Sequence, residues 1–172
     1  CYGDKGDVPE GEYYIPIGKA AVKREGSDIT LVSYNKMMKV AQHAADELAK
    51  EGISAEVIDL RTIRPLDYQT LVNSVKKTNR MVVIDESWPM YGVSAEIAYE
   101  MQKYAFDYLD APVAVLGSRN WITPAHELED SFFPQVSWFL DMIHERIQPL
   151  EGYLPGENFT DGEMVRRAKG GV

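Results

Sequence analysis

Met81-Val82-Val83-Ile84-Asp85-Glu86-Ser87-Trp88-Pro89-Met90-Tyr91-Gly92-Val93-Ser94-Ala95-Glu96-Ile97 decides how this chain folds. Its first four residues are a short, unbroken apolar run, which suits a strand buried on both faces. Two carboxylates, a proline and a glycine then punctuate the chain. A helix begins near Val93. A buried strand, a turn and a helix in that order form the repeating unit of an open α/β sheet. Such sheets receive ligands beyond the carboxyl ends of their strands. The turn therefore has three open uses: an active site, an anion cradle, or a surface for another protein.

The same alternation extends in both directions. Upstream, Ser54-Ala55-Glu56-Val57-Ile58-Asp59-Leu60 reads as a strand. Asp67 is placed to cap the following helix, with Leu66 and Leu71 spaced for a hydrophobic staple. That helix ends near Thr78-Asn79. Earlier still, Ile29-Thr30-Leu31-Val32-Ser33 is a β-rich run. A helix over residues 36–50 follows it, with Met37, Val40, Ala41, Ala44, Ala45 and Leu48 on one face and Gly52 suited to its C′ position. Ile15-Pro16-Ile17 is a short extended piece, and residues 19–25 read as an edge strand because charges intrude on it. The turn Gly26-Ser27-Asp28 is too short to join parallel neighbours, so one edge strand is expected to be antiparallel. Downstream, the helix from Val93 is expected to reach Tyr108, with Ile97, Met101, Tyr104 or Ala105, and Tyr108 inward. A strand over residues 112–117, a short helical segment over 125–131 and a helix from Pro134 to Ile147 complete the pattern. Val136, Phe139, Leu140, Ile143 and Ile147 supply the last apolar face.

The ends read differently. Residues 1–14, rich in Gly and charge, read as a linker or arm, and residues 150–172, with five glycines, as a flexible extension. The packed domain is expected over 15–149. The net charge of −9, from 18 basic and 27 acidic residues, disfavours nucleic acid or an anionic membrane and suits a basic partner. No apolar run approaches a membrane span, and no signal peptide is read. The one cysteine, Cys1, forms no internal disulfide. A lipidated mature N-terminus and a truncated longer chain both accommodate it, and we expect truncation.

A search for chemistry finds no complete set. Neither GxGxxG nor GxxxxGK[ST] occurs, and Gly92 alone is a weak anion cradle. No GxSxG elbow and no HExxH exist. His43, His126 and His144 are dispersed and read as surface residues. Asp85 and Glu86 are adjacent on a strand, so their side chains face opposite ways. Asp59, Asp67, Arg61 and Arg64 form a charged cluster that could bind an anion or pair internally, and we expect internal pairing.

Three stretches taken together resemble one family. They are Ile15-Pro16-Ile17-Gly18-Lys19-Ala20, Val57-Ile58-Asp59-Leu60-Arg61-Thr62-Ile63-Arg64-Pro65-Leu66-Asp67, and Trp88-Pro89-x-x-Gly92-Val93-x-Ala95-Glu96-Ile97 followed by Leu109-Asp110-Ala111-Pro112. In order and spacing they resemble the C-terminal half of the β subunit of thiamine-diphosphate-dependent 2-oxo acid dehydrogenases, the E1 component. The resemblance runs from about residue 13 to 147. It implies an α/β fold of the transketolase C-terminal-domain type, a three-layer α/β/α sandwich on a five-stranded mixed sheet with strand 1 antiparallel. It further implies a parent enzyme that oxidatively decarboxylates a 2-oxo acid, pyruvate or branched-chain, and passes the acyl group to the lipoyl group of E2.

The family holds thiamine diphosphate and Mg²⁺ between the α subunit and the β subunit's N-terminal domain, where the β subunit's catalytic histidine also lies. The resemblance therefore assigns this stretch no catalytic, cofactor or metal residue, and an inactive fragment is expected. The implied work is assembly with the E1 α subunit or region and a second β subunit, and docking of E2's basic peripheral-subunit-binding domain. Asp110 matches an acidic docking residue of the family. Trp88, Pro89, Tyr91, Gly92, Glu96, Arg61, Arg64 and Asp67 are candidates for subunit contact. The location implied is a bacterial cytoplasm, which we expect, or a mitochondrial matrix. The tail beyond Leu150, the stretch SRNWITPAHELEDSFF over 118–133, and Asn35 in place of a common Gly depart from the family pattern. Another transketolase-like enzyme and a free-standing interaction module are the alternative parents.

Overall fold

The structure is a computed structural model and describes Gly3 and residues 5–156. Five strands, β1 (Ala21–Arg24), β2 (Ile29–Ser33), β3 (Ala55–Asp59), β4 (Met81–Ile84) and β5 (Ala114–Leu116), form one sheet in the order β1-β3-β2-β4-β5. β2, β3, β4 and β5 are parallel, and β1 lies antiparallel on the outer side of β3. The expected antiparallel edge strand is thus present. Residues 26–28 carry the chain from β1 across β3 to β2.

Period-two alternation divides the sheet's side chains between two cores. Leu31, Val57, Val82 and Ile84 face α1 (Met37–Lys50) and α4 (Val136–Met142), meeting Leu48 and Phe139. Val32, Ile58 and Val83 face α2 (Tyr68–Thr78) and α3 (Val93–Ala105), meeting Leu71, Val75, Ile97 and Met101. This is the α/β/α sandwich expected from the sequence.

Local chemistry sets where the elements stop. Gly52 has φ +75°, and behind it Ile53 N–H donates to Leu48 O at 2.9 Å and Gly52 N–H to Ala49 O at 3.2 Å. That is a Schellman closure, which only a left-handed residue permits without strain. Asp67 accepts Thr70 N–H at 3.2 Å and so caps α2. Leu66 and Leu71 meet in one core, as the staple requires.

Ile15 and Ile17, in the short extended piece, join no strand and are 57% and 79% exposed. Gly18, at φ +75°, turns the chain before the sheet begins. Three expectations are corrected. α3 ends at Ala105 and tightens into a 3₁₀ turn over Phe106–Tyr108. Ala105 therefore takes the inward position, while Tyr104 stays outside, edge-on to Tyr68 at 5.7 Å. The last helix widens into a π turn over Ile143–Ile147, and Trp138 and Met142 are buried beside Phe139 and Ile143. Packing also continues past the expected boundary at Pro149. Leu150 is buried in the core, and Tyr153 O–H and Gly156 N–H both donate to the buried Asp141 Oδ1, at 2.7 and 3.0 Å. Cys1 and residues 157–172, on which the lipidation and tail readings rest, lie outside the described residues.

Candidate functional site

The sequence candidates fall at opposite ends of the sheet. Trp88, Pro89, Tyr91, Gly92 and Glu96 belong to the β4–α3 turn and α3's first turn, and Arg61, Arg64 and Asp67 to the β3–α2 loop. Both loops leave the carboxyl ends of parallel strands. Asp110 lies at the amino end, just before β5, where its N–H donates to Asn79 O at 2.9 Å.

At the carboxyl end, β2 and β4 lie side by side, and their loops are tied by side chains. Asp85 is buried and accepts Tyr34 O–H at 2.7 Å, Ser87 N–H at 3.1 Å and Ser87 O–H at 2.6 Å. Burial, and then the Asp85 carboxylate, raise the Tyr34 hydroxyl pKa well above the ordinary tyrosine value. Asn35, at φ +52°, donates from Nδ2 to Glu86 Oε1 at 3.3 Å. Asp85 and Glu86 therefore hold different partners. Tyr34, which no sequence motif marks, is the residue that locks this corner.

Close approach shapes the turn itself. A Cβ on Gly92 would lie 2.2 Å from Trp88 O, and one on Gly117 would lie 2.5 Å from Ser87 O and 2.7 Å from Pro89. The two glycines let the Ser87–Pro89 segment lie flat across the end of β5. Trp88 O packs directly against Gly92, where a side chain would stand. Above this base the surface is apolar: Trp88, Met90 and Tyr91 are 45%, 61% and 98% exposed, and Trp121, which lines the same cleft as Trp88 and Met90, is 55% exposed and followed by Ile122 at 92%. Arg119 lies over the Trp138 ring at 4.0 Å and toward Trp121 at 5.6 Å. A cleft of about 470 Å³ runs between Trp88–Met90 and Trp121–Trp138, floored by Val115 and Gly117. Met90, Trp121 and Ile122 were not among the sequence candidates. An apolar residue in a loop without a period carries no sign of which way it faces.

The β3–α2 loop only partly follows the expected ion pairing. Arg61, at φ +57°, pairs with Asp59 at 3.8 Å. Asp67 pairs with neither arginine. It is buried and accepts Ala20 N–H at 3.1 Å and Thr70 O–H at 2.9 Å besides its cap bond. Burial works against its charge, but the bonds from Thr70 and Ala20, helped by Lys19, prevail and hold its pKa below the ordinary aspartate value. Asp67 therefore fixes the entry of β1 against α2, and Arg64 stays exposed beside it.

Asp110, at the far end, is exposed on the rim of a shallow polar cleft of about 530 Å³ with Asp28, Glu51, Asn79 and Arg80. The histidines stay apart. His43 is exposed, His126 lies 3.5 Å from Glu129, and half-buried His144 accepts Leu150 N–H on Nδ1 at 2.9 Å. Among the described residues no group of three or more His, Cys, Asp or Glu could hold a metal ion. No helix there is long and apolar enough to cross a membrane.

Comparisons with known proteins agree with this architecture. The chain is 57% identical over 126 residues to "Pyruvate dehydrogenase E1 component subunit beta, mitochondrial" of Dictyostelium discoideum, covering 73% of this chain and 35% of the relative. It is 48% identical over 145 residues to "Pyruvate dehydrogenase E1 component subunit beta" of Staphylococcus epidermidis, covering 84% and 44%. The chain thus spans less than half the length of these relatives, one of them mitochondrial and the other bacterial. A solved "Split gene transketolase, inactive beta4 tetramer" superposes with a TM-score of 0.58 at 28% identity, over 73% of this chain and 40% of that one. The family profile described as "Transketolase, C-terminal domain" matches residues 18–137, a span from the turn before β1 into α4, and on that match this chain belongs to the transketolase C-terminal domain family.

Proposed function

We propose that this chain is the C-terminal assembly and docking domain of the β subunit of a 2-oxo acid dehydrogenase E1 of the pyruvate type. The observation that carries the reading is the 57% identity to a pyruvate dehydrogenase E1 β subunit over 126 residues. In this reading the parent enzyme decarboxylates its 2-oxo acid and passes the acyl group to the lipoyl group of E2. Its thiamine diphosphate and Mg²⁺ belong to the remainder of the assembly. Two observations support that placement: Asp85 already accepts three hydrogen bonds, from Tyr34 O–H, Ser87 N–H and Ser87 O–H, and no group of three or more His, Cys, Asp or Glu among the described residues could hold a metal ion.

The two ends of the sheet then have separate tasks. The apolar carboxyl end, with Trp88, Pro89 and Tyr91, meets the E1 α subunit or a second β subunit, since exposed aromatics anchor interfaces. The polar amino end, through Asp110, receives E2's basic peripheral-subunit-binding domain, where opposite charge sets on-rate and orientation. A bacterial cytoplasm is the proposed location. The test uses the assembled E1 titrated with that E2 domain. Asp110→Lys is expected to weaken binding by about tenfold or more, of the order measured when a charge pair across an interface is reversed. Unchanged affinity would remove Asp110 from the docking site. Phosphosugar transfer by the assembled enzyme would overturn the pyruvate reading in favour of a transketolase.

A further inference from the structure

Parallel strands turn alternate residues toward each neighbour. In β5, Asp85 N–H donates to Leu116 O at 2.9 Å, and the register pairs Val82 with Ala114 and Ile84 with Leu116. Ala114 and Leu116 therefore direct their peptide groups to β4. The intervening Val115 directs its N–H and C=O to the open side, and so do the flanking Val113 and Gly117 by the same alternation. β5 ends the sheet, so no strand of this domain meets those groups. Val115 and Gly117 form the floor of the 470 Å³ cleft, whose walls are Trp88, Met90, Trp121 and Trp138. A free sheet edge lying in an apolar trough is the arrangement that accepts an added strand.

The same chain carries an unpaired strand-like segment. Tyr13, Tyr14, Ile15 and Ile17 are 57%, 84%, 57% and 79% exposed, and none contributes to either core. Their β-branched and aromatic composition favours a strand. We propose that Tyr13–Ile17 of a second copy of this chain adds to the free edge of β5, reciprocally, as a sixth strand in each sheet.

Three observations select this occupant. The first is phase. If Tyr13, Ile15 and Ile17 turn their peptide groups to β5, Pro16 falls on the outer side, where its missing N–H costs nothing and stops further pairing. The second is charge. The segment is preceded by Asp7, Glu10 and Glu12. No carboxylate lines the cleft among the described residues, and its one charged lining residue is Arg119. The third is reach. Gly18 N–H is held by Thr62 Oγ1 at 2.8 Å, and the chain continues into β1 at the opposite edge. Four strand spacings of about 4.8 Å separate that edge from β5. Ile17, next to Gly18, cannot cross that distance, so the arm must come from another molecule.

The inference rests on the self-association in the proposed function and names the surface for it. It is tested by sedimentation of the full 172-residue chain over a range of concentrations. A dimer is expected. Ile15→Pro removes an N–H that faces β5 and should weaken dimerisation by about tenfold or more, one full hydrogen-bonded register position. Tyr14→Pro removes an N–H on the outer side and should weaken it several-fold less. Val115→Pro deletes the matching donor on β5 without touching the bonds to β4. Since that variant sits in the sheet, a peptide of residues 10–18 supplies an independent measurement and should dissociate the wild-type dimer. A dimer indifferent to Ile15→Pro and to the peptide overturns the arm exchange but leaves self-association standing. Equal loss from Ile15→Pro and Tyr14→Pro overturns the register. A monomer at all concentrations overturns both.

Discussion

Gly92 and Gly117 show how much one hydrogen atom in place of a side chain can decide. Each lies where a Cβ would come within 2.5 Å of a carbonyl oxygen of the Ser87–Trp88 turn. Gly92→Ala is expected to displace the turn and cost about 1–3 kcal/mol, as overpacking does, read as a lowered Tm. Tryptophan fluorescence should shift as well, because Trp88 moves with the turn. Asp67 makes a different kind of contribution. Asp67→Ala removes a helix cap and the tie to Ala20, and should cost about 1–2 kcal/mol at neutral pH. Its folded pKa is depressed. The stability it adds is therefore present above the unfolded aspartate value and disappears as pH falls through the folded one. Denaturant curves of wild type and variant should accordingly converge in acid. A constant gap down to strongly acidic pH would assign the loss to packing alone. Asp67 was legible in the sequence because a cap has a local signature. Its bond to Ala20, 47 positions away, had none.

At the scale of elements, α2 is pinned to the sheet by a charge and by hydroxyls. Lys77 reaches from α2 to the buried Glu56 of β3 and to Glu25 after β1. Its pairing with Glu56, then with Glu25, raises its pKa above the usual lysine value. Lys77→Met leaves Glu56 buried without its cation. Loss of one partner of a fully buried pair costs about 3–5 kcal/mol; Lys77 is 43% exposed, so about 1–2 kcal/mol is expected here, measured by chemical denaturation. The double variant Lys77→Met with Glu56→Gln should recover part of it. Beneath this pair, Thr30 of β2 shares hydrogen bonds with Ser74 and Thr78 of α2 at 2.6 and 2.7 Å. Polar positions inside a strand and on a helix's inner face here satisfy each other. The shortened α3 has a similar cause. Tyr104 and Ala105 offered two continuations of one face, and the smaller residue fits beside the sheet.

For the whole molecule, the sheet keeps its two surfaces of different chemistry at opposite ends. The carboxyl end presents Trp88, Met90 and Tyr91 to solvent. The amino end is polar around Asp110. In the proposed assembly these ends allow subunit association and E2 docking to proceed without competing for one surface. The isolated chain is expected to fold cooperatively, because both cores lie wholly within it, yet to give no Mg²⁺-dependent thiamine diphosphate binding by calorimetry. Tight binding would overturn the assignment of the cofactor to the remainder of the enzyme. Truncation after Gln148 should lower Tm by several degrees, since it removes the buried Leu150 and the Tyr153 tie to Asp141, about 2–4 kcal/mol for a buried aliphatic and its cavity.

The order of strands and helices, the antiparallel edge, the cap at Asp67 and the closure at Gly52 followed from the sequence alone. Each depends on residues a few positions apart, where hydrophobic period and backbone sterics act directly. The motifs also carried the family. Only the tertiary structure decided that β1 pairs with β3, that Tyr34 and Asp85 lock the β2 and β4 loops, and that Leu150 belongs to the core. It alone brought Trp88 and Trp121 to the walls of one cleft, with the open side of β5 as its floor. Those relations join residues tens of positions apart. They arise because burying both faces of one sheet leaves the chain few ways to pack, a constraint on the whole molecule that no local pattern encodes.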